Sequence, residues 1–105
     1  DAADTVRAID AFGRRAIEID ADVGQRDQVD AMVAQTIENF GRLDILVANA
    51  YRSIRQPFLE MTQDGLDQTL GTTMNGTFHA CQSGAPAMVS VCTVCGYSAP
   101  GCWGQ

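Results

Sequence analysis

The chain has 105 residues, with thirteen acidic and seven basic side chains and a formal net charge of −6. Every basic residue is an arginine and lysine is absent, which excludes for these residues any chemistry built on an ammonium group, such as a Schiff base or a phosphate-loop lysine. A nucleic-acid partner is not expected, because neutralising phosphates takes a basic stripe and the charge runs the other way.

Hydrophobic residues make up 46% and charged residues 19%, the composition of a folding chain rather than a disordered one. The length suits one domain over residues 1–105. No apolar run approaches the ~20 residues of a membrane span, so no membrane partner is expected. The opening Asp1-Ala2-Ala3-Asp4 lacks a basic, apolar leader. It reads like the interior of a helix, and the chain is expected to be a piece of a longer protein. The four cysteines, Cys81, Cys92, Cys95 and Cys102, all fall in the last quarter. A disulfide framework would spread them, so a reducing, cytoplasmic setting is expected.

Asp4 to Phe12 carries Val6, Ile9 and Phe12 among alanines and ends before Gly13, the pattern of an amphipathic helix with a C-terminal glycine. Residues 16–20 alternate apolar and polar, which predicts a strand. A turn follows at Asp20-Ala21-Asp22-Val23-Gly24. Val29, Met32, Val33, Ile37 and Phe40 lie on one face of a helix that Gly41 closes. Residues 43–48 are nearly all apolar, as in a strand buried on both faces of a parallel sheet. Asn49 to Pro57 reads as a loop.

Leu66, Leu70, Met74, Phe78 and Cys81 recur about every four residues, predicting a long helix over 63–84 with Thr62 as its cap and Pro86 as its stop. Gly71 and Gly76 inside it are expected where something packs closely. Val89 to Cys95 is β-rich and glycines punctuate the rest. Three helices thus alternate with three strands, which argues for an α/β architecture around a parallel sheet.

Asp22-Val23, the run Phe40-Gly41-Arg42-Leu43-Asp44-Ile45-Leu46-Val47 leading into Asn49-Ala50, and Gly76-Thr77-Phe78 resemble, in order and spacing, the middle of a short-chain dehydrogenase/reductase. The resemblance covers nearly the whole chain. It implies a Rossmann-like, doubly wound parallel sheet present in part, NAD or NADP as cofactor, and hydride transfer between the nicotinamide and a small alcohol or ketone substrate.

By that resemblance Asp22 would hold the adenine ring, with Val23 packing beside it. Asn49 and Ala50 would lie against the cofactor's ribose, and Tyr51 stands where the family has glycine, a residue suited to close backbone approach. Thr73 falls at the position of a helix asparagine that holds a water of the proton relay. Thr93, within Val91-Cys92-Thr93-Val94-Cys95-Gly96, matches the catalytic serine that hydrogen-bonds the substrate carbonyl. The long helix would form half of a four-helix interface, giving a homodimer or homotetramer.

Three of the family's features do not occur in residues 1–105: the glycine-rich turn with the first strand, the second strand that selects NAD or NADP, and the Tyr-x-x-x-Lys pair. The connection at Met88–Val89 is also shorter than in the family. In a doubly wound sheet of order 3-2-1-4-5, the strands at 16–20 and 43–48 would be the third and fourth, separated by the first two.

Other readings of the same residues point elsewhere. Tyr51 and Arg55 mimic a Tyr-x-x-x-Arg pair but sit after the fourth strand, as a surface loop would. Cys92-Thr93-Val94-Cys95 could form a redox pair, or half of a zinc site with Cys81, Cys102 or His79; in a β-rich run it reads better as small apolar packing. No metal is therefore expected, and His79 reads as a structural histidine. The alternatives to an oxidoreductase are a non-catalytic domain on the same scaffold and, more remotely, a zinc or thiol-redox module.

Overall fold

A computed structural model of the chain describes residues 1–89. Its elements are helix α1 (Ala2–Ala11), helix α2 (Arg26–Phe40), a 3-10 turn (Phe58–Glu60), helix α3 (Gln63–Leu70), a π-helical turn (Gly71–Asn75) and helix α4 (Gly76–Val89).

The helix ends follow the local chemistry. Asp1 caps α1 by accepting from the Ala3 N–H, and Gly13 turns the chain away at φ +71°. Gly41 takes the left-handed conformation, φ +82°, at the end of α2, where a side chain would be strained. No basic residue stands in the last turn of α2. Arg15 supplies that charge from the preceding loop: its Nη2 donates to the Asn39 carbonyl at 3.0 Å and its guanidinium lies 5.1 Å from the Phe40 ring centre, a helix-end cation that also covers an aromatic face. Thr62 caps α3, its hydroxyl accepting from the Gly65 N–H at 3.1 Å.

The predicted long helix exists as α3, the π turn and α4 run together, and it extends past its expected stop. Pro86 lies inside α4, which reaches Val89, so the β-rich reading of Val89 is also corrected. Gly84 is buried where a Cβ would lie 3.3 Å from Leu43 Cδ2 and Leu46 Cδ2, and this packing holds the turn helical.

The strands expected at 16–20 and 43–48 are not formed, and there is no strand anywhere among the described residues. The physical reason is the absence of a neighbour. A strand is defined by its ladder of bonds to another strand, and the third and fourth strands of a doubly wound sheet pair with others, not with each other. The segment 43–48 nevertheless lies where a strand would, against the inner face of α4.

The shape agrees. The radius of gyration is 17.2 Å and the extents are 52 × 47 × 20 Å, against about 13 Å for a compact domain of about 100 residues. Little core closes inside so thin a body: among the described residues Val29 and Ala80 are the buried hydrophobic ones, while Ile45 and Val47 are 78% and 77% exposed.

Helices α2 and α4 are tied at their polar edge. Arg26 donates to the Asp30 carboxylate at 3.0 and 3.1 Å and to Gln82 Oε1. The Ser83 hydroxyl, and after it Arg26, hold the Asp30 carboxyl below the ordinary carboxylate range. This tie is therefore complete above that range and is lost as pH falls through the lowered value.

Gly76 is packed where a side chain would stand, as its sequence position suggested, whereas at Gly71 the close neighbour, Gly24, approaches the carbonyl and leaves the side-chain position open. A Cβ at Gly76 would lie 2.6 Å from Val23 Cγ2, whereas a Cβ at Gly71 would meet nothing within 4 Å; Gly71 has helical φ −57° and ψ −49°. Gly76→Ala is expected to destabilise the intact protein by roughly 1–3 kcal/mol through overpacking. Gly71→Ala should stabilise it by up to about 1 kcal/mol. Urea unfolding of the two variants checks the opposite signs, and equal shifts would contradict the packing.

Candidate functional site

Asp22 sits in the turn before α2 and is tied into it. Its Oδ1 accepts from the Gly24 N–H at 2.8 Å, and its own N–H donates to Gln28 Oε1 at 2.7 Å. The second carboxylate oxygen accepts no hydrogen bond among the described residues, so the exposed side chain keeps an acceptor for a ligand. Val23 is anchored beside it. Its carbonyl can only accept, so His79 Nδ1 carries the proton and donates at 3.1 Å. His79 is thus a structural histidine, as its place in the helix suggested.

An open cleft of about 260 Å³ lies between this turn and α3. Asp22 and Gln25 form one side, Asp67, Gln68 and the backbone near Gly71 the other, and Arg52 reaches in from the loop. The turn approaches closely here: a Cβ at Gly24 would lie 3.4 Å from the Gly71 carbonyl oxygen. The cleft is below the ~300–1,000 Å³ of a pocket that encloses a whole drug-sized ligand. It suits one ring of a larger molecule.

The loop after residue 48 is clipped to the helix by two threonine hydroxyls. Thr73 Oγ1 accepts from the Arg52 N–H at 3.2 Å and donates to the Arg52 carbonyl at 3.0 Å. One turn earlier, Thr69 Oγ1 accepts from the Ile54 N–H at 3.3 Å and donates to the Gly65 carbonyl at 2.9 Å. Residues 52 and 54 of the loop thereby meet residues i and i+4 of a helix, which share one face. Asn49 donates its N–H to the Val47 carbonyl at 3.1 Å, and Tyr51 is 75% exposed.

Of the residues singled out in the sequence, Asp22 lines the cleft and Val23 adjoins it. Asn49, Ala50 and Tyr51 lie on the loop leading to Arg52, which enters the cleft. Thr73 holds that loop's backbone with both its donor and its acceptor. Thr93 and the Cys92–Cys95 pair lie outside the described residues, and among the described residues no three His, Cys, Asp or Glu side chains gather as a metal site. Arg52, Gln68 and Thr69 were not anticipated. The four-residue spacing of Thr69 and Thr73 was the available signal.

The family model for short chain dehydrogenases matches residues 1–94. The chain belongs to the short-chain dehydrogenase family. A short-chain dehydrogenase of Burkholderia cenocepacia, solved in complex with NADP, superposes with a TM-score of 0.80 at 37% identity over 83% of this chain and 36% of that one. A blue fluorescent protein from a metagenomic library, in complex with NADPH, superposes at 0.77 with 34% identity, covering 83% of this chain and 35% of its own. An L-rhamnose 1-dehydrogenase (NAD(P)(+)) of a Sphingomonas species is 33% identical over 84 residues, 80% of this chain and 33% of that protein. The chain therefore spans about a third of the length of the curated relatives it matches. Its fold is the Rossmann-like doubly wound α/β fold of these dehydrogenases, present in part.

The double hydrogen bond of Thr73 makes it a positioning residue for the loop. Thr73→Val should cost about 0.5–1.5 kcal/mol and raise hydrogen exchange at residues 52–54 in the intact protein, while Thr73→Ser should restore both. Unchanged exchange in this loop in Thr73→Val would contradict the positioning role.

Proposed function

We propose that the protein containing this chain is an NAD(P)-dependent oxidoreductase that moves hydride between the nicotinamide and the carbon of a small alcohol or ketone. The observation that carries this reading is the Asp22 cleft, in a chain that superposes on an NADP-bound dehydrogenase. The nicotinamide, when bound, supplies the redox chemistry. The chain's own residues bind and orient.

The cleft fits one end of such a cofactor. Asp22 offers a carboxylate acceptor held rigid by Gly24 and Gln28, which suits the exocyclic amine of adenine. The backbone of Asn49, Ala50 and Tyr51 would lie along the ribose, steadied by the Thr73 clip on Arg52. Thr93 would donate its hydroxyl to the substrate oxygen.

Assembly follows from the outer face of the long helix. Leu66, Leu70, Met74 and Phe78 are 38%, 39%, 64% and 59% exposed along one stripe with exposed Cys81, while Gly76, Ala80 and Gly84 face inward. A stripe this apolar on a helix surface needs a partner, and a second copy meeting it would make a homodimer or homotetramer. Among the described residues no helix is long and apolar enough to cross a membrane, and a cytoplasmic site of action completes the proposal.

The test is turnover of a ketone panel by the intact protein with NADH and NADPH, with light scattering on the same sample. Oxidation of either cofactor by at least one ketone and a mass of two or four subunits are expected. Tight cofactor binding without any turnover would favour the non-catalytic reading, and a monomer mass would contradict the helix interface.

A further inference from the structure

Resting on the oxidoreductase reading above, we infer that Tyr51, Ser53 and Arg55 form a row that binds a carboxylate on the substrate, which makes oxo acids and hydroxy acids the substrate class. The loop that carries them meets the long helix at every second residue. Arg52 is held by Thr73 through its backbone and by Gln68, whose Oε1 accepts from Nη1 at 3.1 Å. Ile54 donates its N–H to Thr69 at 3.3 Å, and its Cγ2 lies 3.5 Å from the place of a Cβ on Gly65. Gln56 Oε1 accepts from the N–H of Thr62, the cap of α3, at 3.3 Å. Contact at alternate residues leaves those between them on the opposite side of the backbone. They are Tyr51, Ser53 and Arg55, all exposed. None of their side chains makes a hydrogen bond or ion pair among the described residues.

The row offers a phenol, a hydroxyl and a guanidinium, all hydrogen-bond donors. Successive members of such a row stand about 7 Å apart, within reach of side chains as long as tyrosine and arginine. Arg7, Arg26 and Arg42 each hold a carboxylate of this chain, and Arg52 holds Gln68. Among the described residues Arg55 keeps its donors and its charge for a ligand, in a chain whose formal net charge is −6. A planar guanidinium matches the two oxygens of a carboxylate, and the Ser53 and Tyr51 hydroxyls add donors beside it. The loop is clipped before the ligand arrives, so binding has little more than three side chains to order. Its place suits a substrate. It follows segment 43–48, and open α/β sheets bind their ligands outside the carboxyl ends of the strands. The cofactor's phosphates are the other anion to consider. In this fold they rest on the helix that follows the glycine-rich turn, and no such turn occurs in residues 1–105. A substrate carboxylate is the anion left for Arg55.

Steady-state kinetics of the intact protein with pyruvate, acetoacetate and levulinate against their methyl esters test this, with NADH and NADPH each titrated by fluorescence. At least one acid should be reduced with a kcat/KM about tenfold or more above that of its ester, the range expected for hydrogen bonds to a charged group. Arg55→Ala should raise KM for that acid about tenfold or more with kcat within about twofold, bring the acid-to-ester ratio near one, and leave Kd for both cofactors within about twofold. Arg55→Lys should recover only part of the ratio, because an ammonium group keeps the charge and loses the planar fork. An unchanged ratio in Arg55→Ala would overturn the inference alone, as would turnover of esters or simple ketones with no preference for any acid. Loss of cofactor affinity in Arg55→Ala would assign the anion to the cofactor and overturn the inference as well. No turnover of any ketone with either cofactor would overturn the oxidoreductase reading and the inference with it.

Discussion

Everything described in this chain hangs on one close approach, that of the inner face of the long helix to the segments it covers. That face is built from Gly65, Gly76, Ala80 and Gly84, all buried. Small residues let backbone and side chains of the other layer come near: Val23 against Gly76, and Leu43 and Leu46 against Gly84. The hydroxyls of Thr69 and Thr73 fill the intervals and bond the loop at residues 52 and 54. The turn carrying Asp22 is thereby set opposite α3, and Arg52 is brought into the same cleft. Enlarging Gly76 would press on Val23 beside the Asp22 turn, and enlarging Gly84 would press on Leu43 and Leu46.

The same constraint explains what is exposed. The helix spends its small face on the inner layer and turns Leu66, Leu70, Met74 and Phe78 outward. Segment 43–48 buries Leu43 and Leu46 partly against the helix and leaves Ile45 and Val47 open. Backbone amides in such a segment need partners when they are buried, and in the doubly wound fold those partners are neighbouring strands. Among the described residues α2 packs on α4, segment 43–48 lies against α4 at Gly84, and no strand is paired, a Rossmann fold present in part.

The sequence made the helices legible because their signals are local. Apolar spacing marked Val29 to Phe40, Gly13 and Gly41 marked two ends, and Thr62 marked a start. Asp22 and the run into Asn49 were legible through the family they resemble. Residues 16–20 and 43–48 form no strand, since alternation and apolarity say where a strand would lie and nothing about whether a neighbour is present. Pro86 misled because its local cost is outweighed by packing at Gly84, which is a tertiary fact. The Thr69 and Thr73 clips, and Arg52's place beside Asp22, join residues some fifteen to thirty positions apart, and no periodicity within a helix or loop reports a bond of that kind.

Hydrogen exchange at Leu43 to Ala48 in the intact protein tests the central claim most directly. If this segment is a sheet strand held in place by the long helix, its amides exchange as slowly as those of the α2 interior around Val29, near the global unfolding limit. Fast exchange at Ile45 to Val47 in a protein whose α2 remains protected would contradict the assignment of this segment to the sheet.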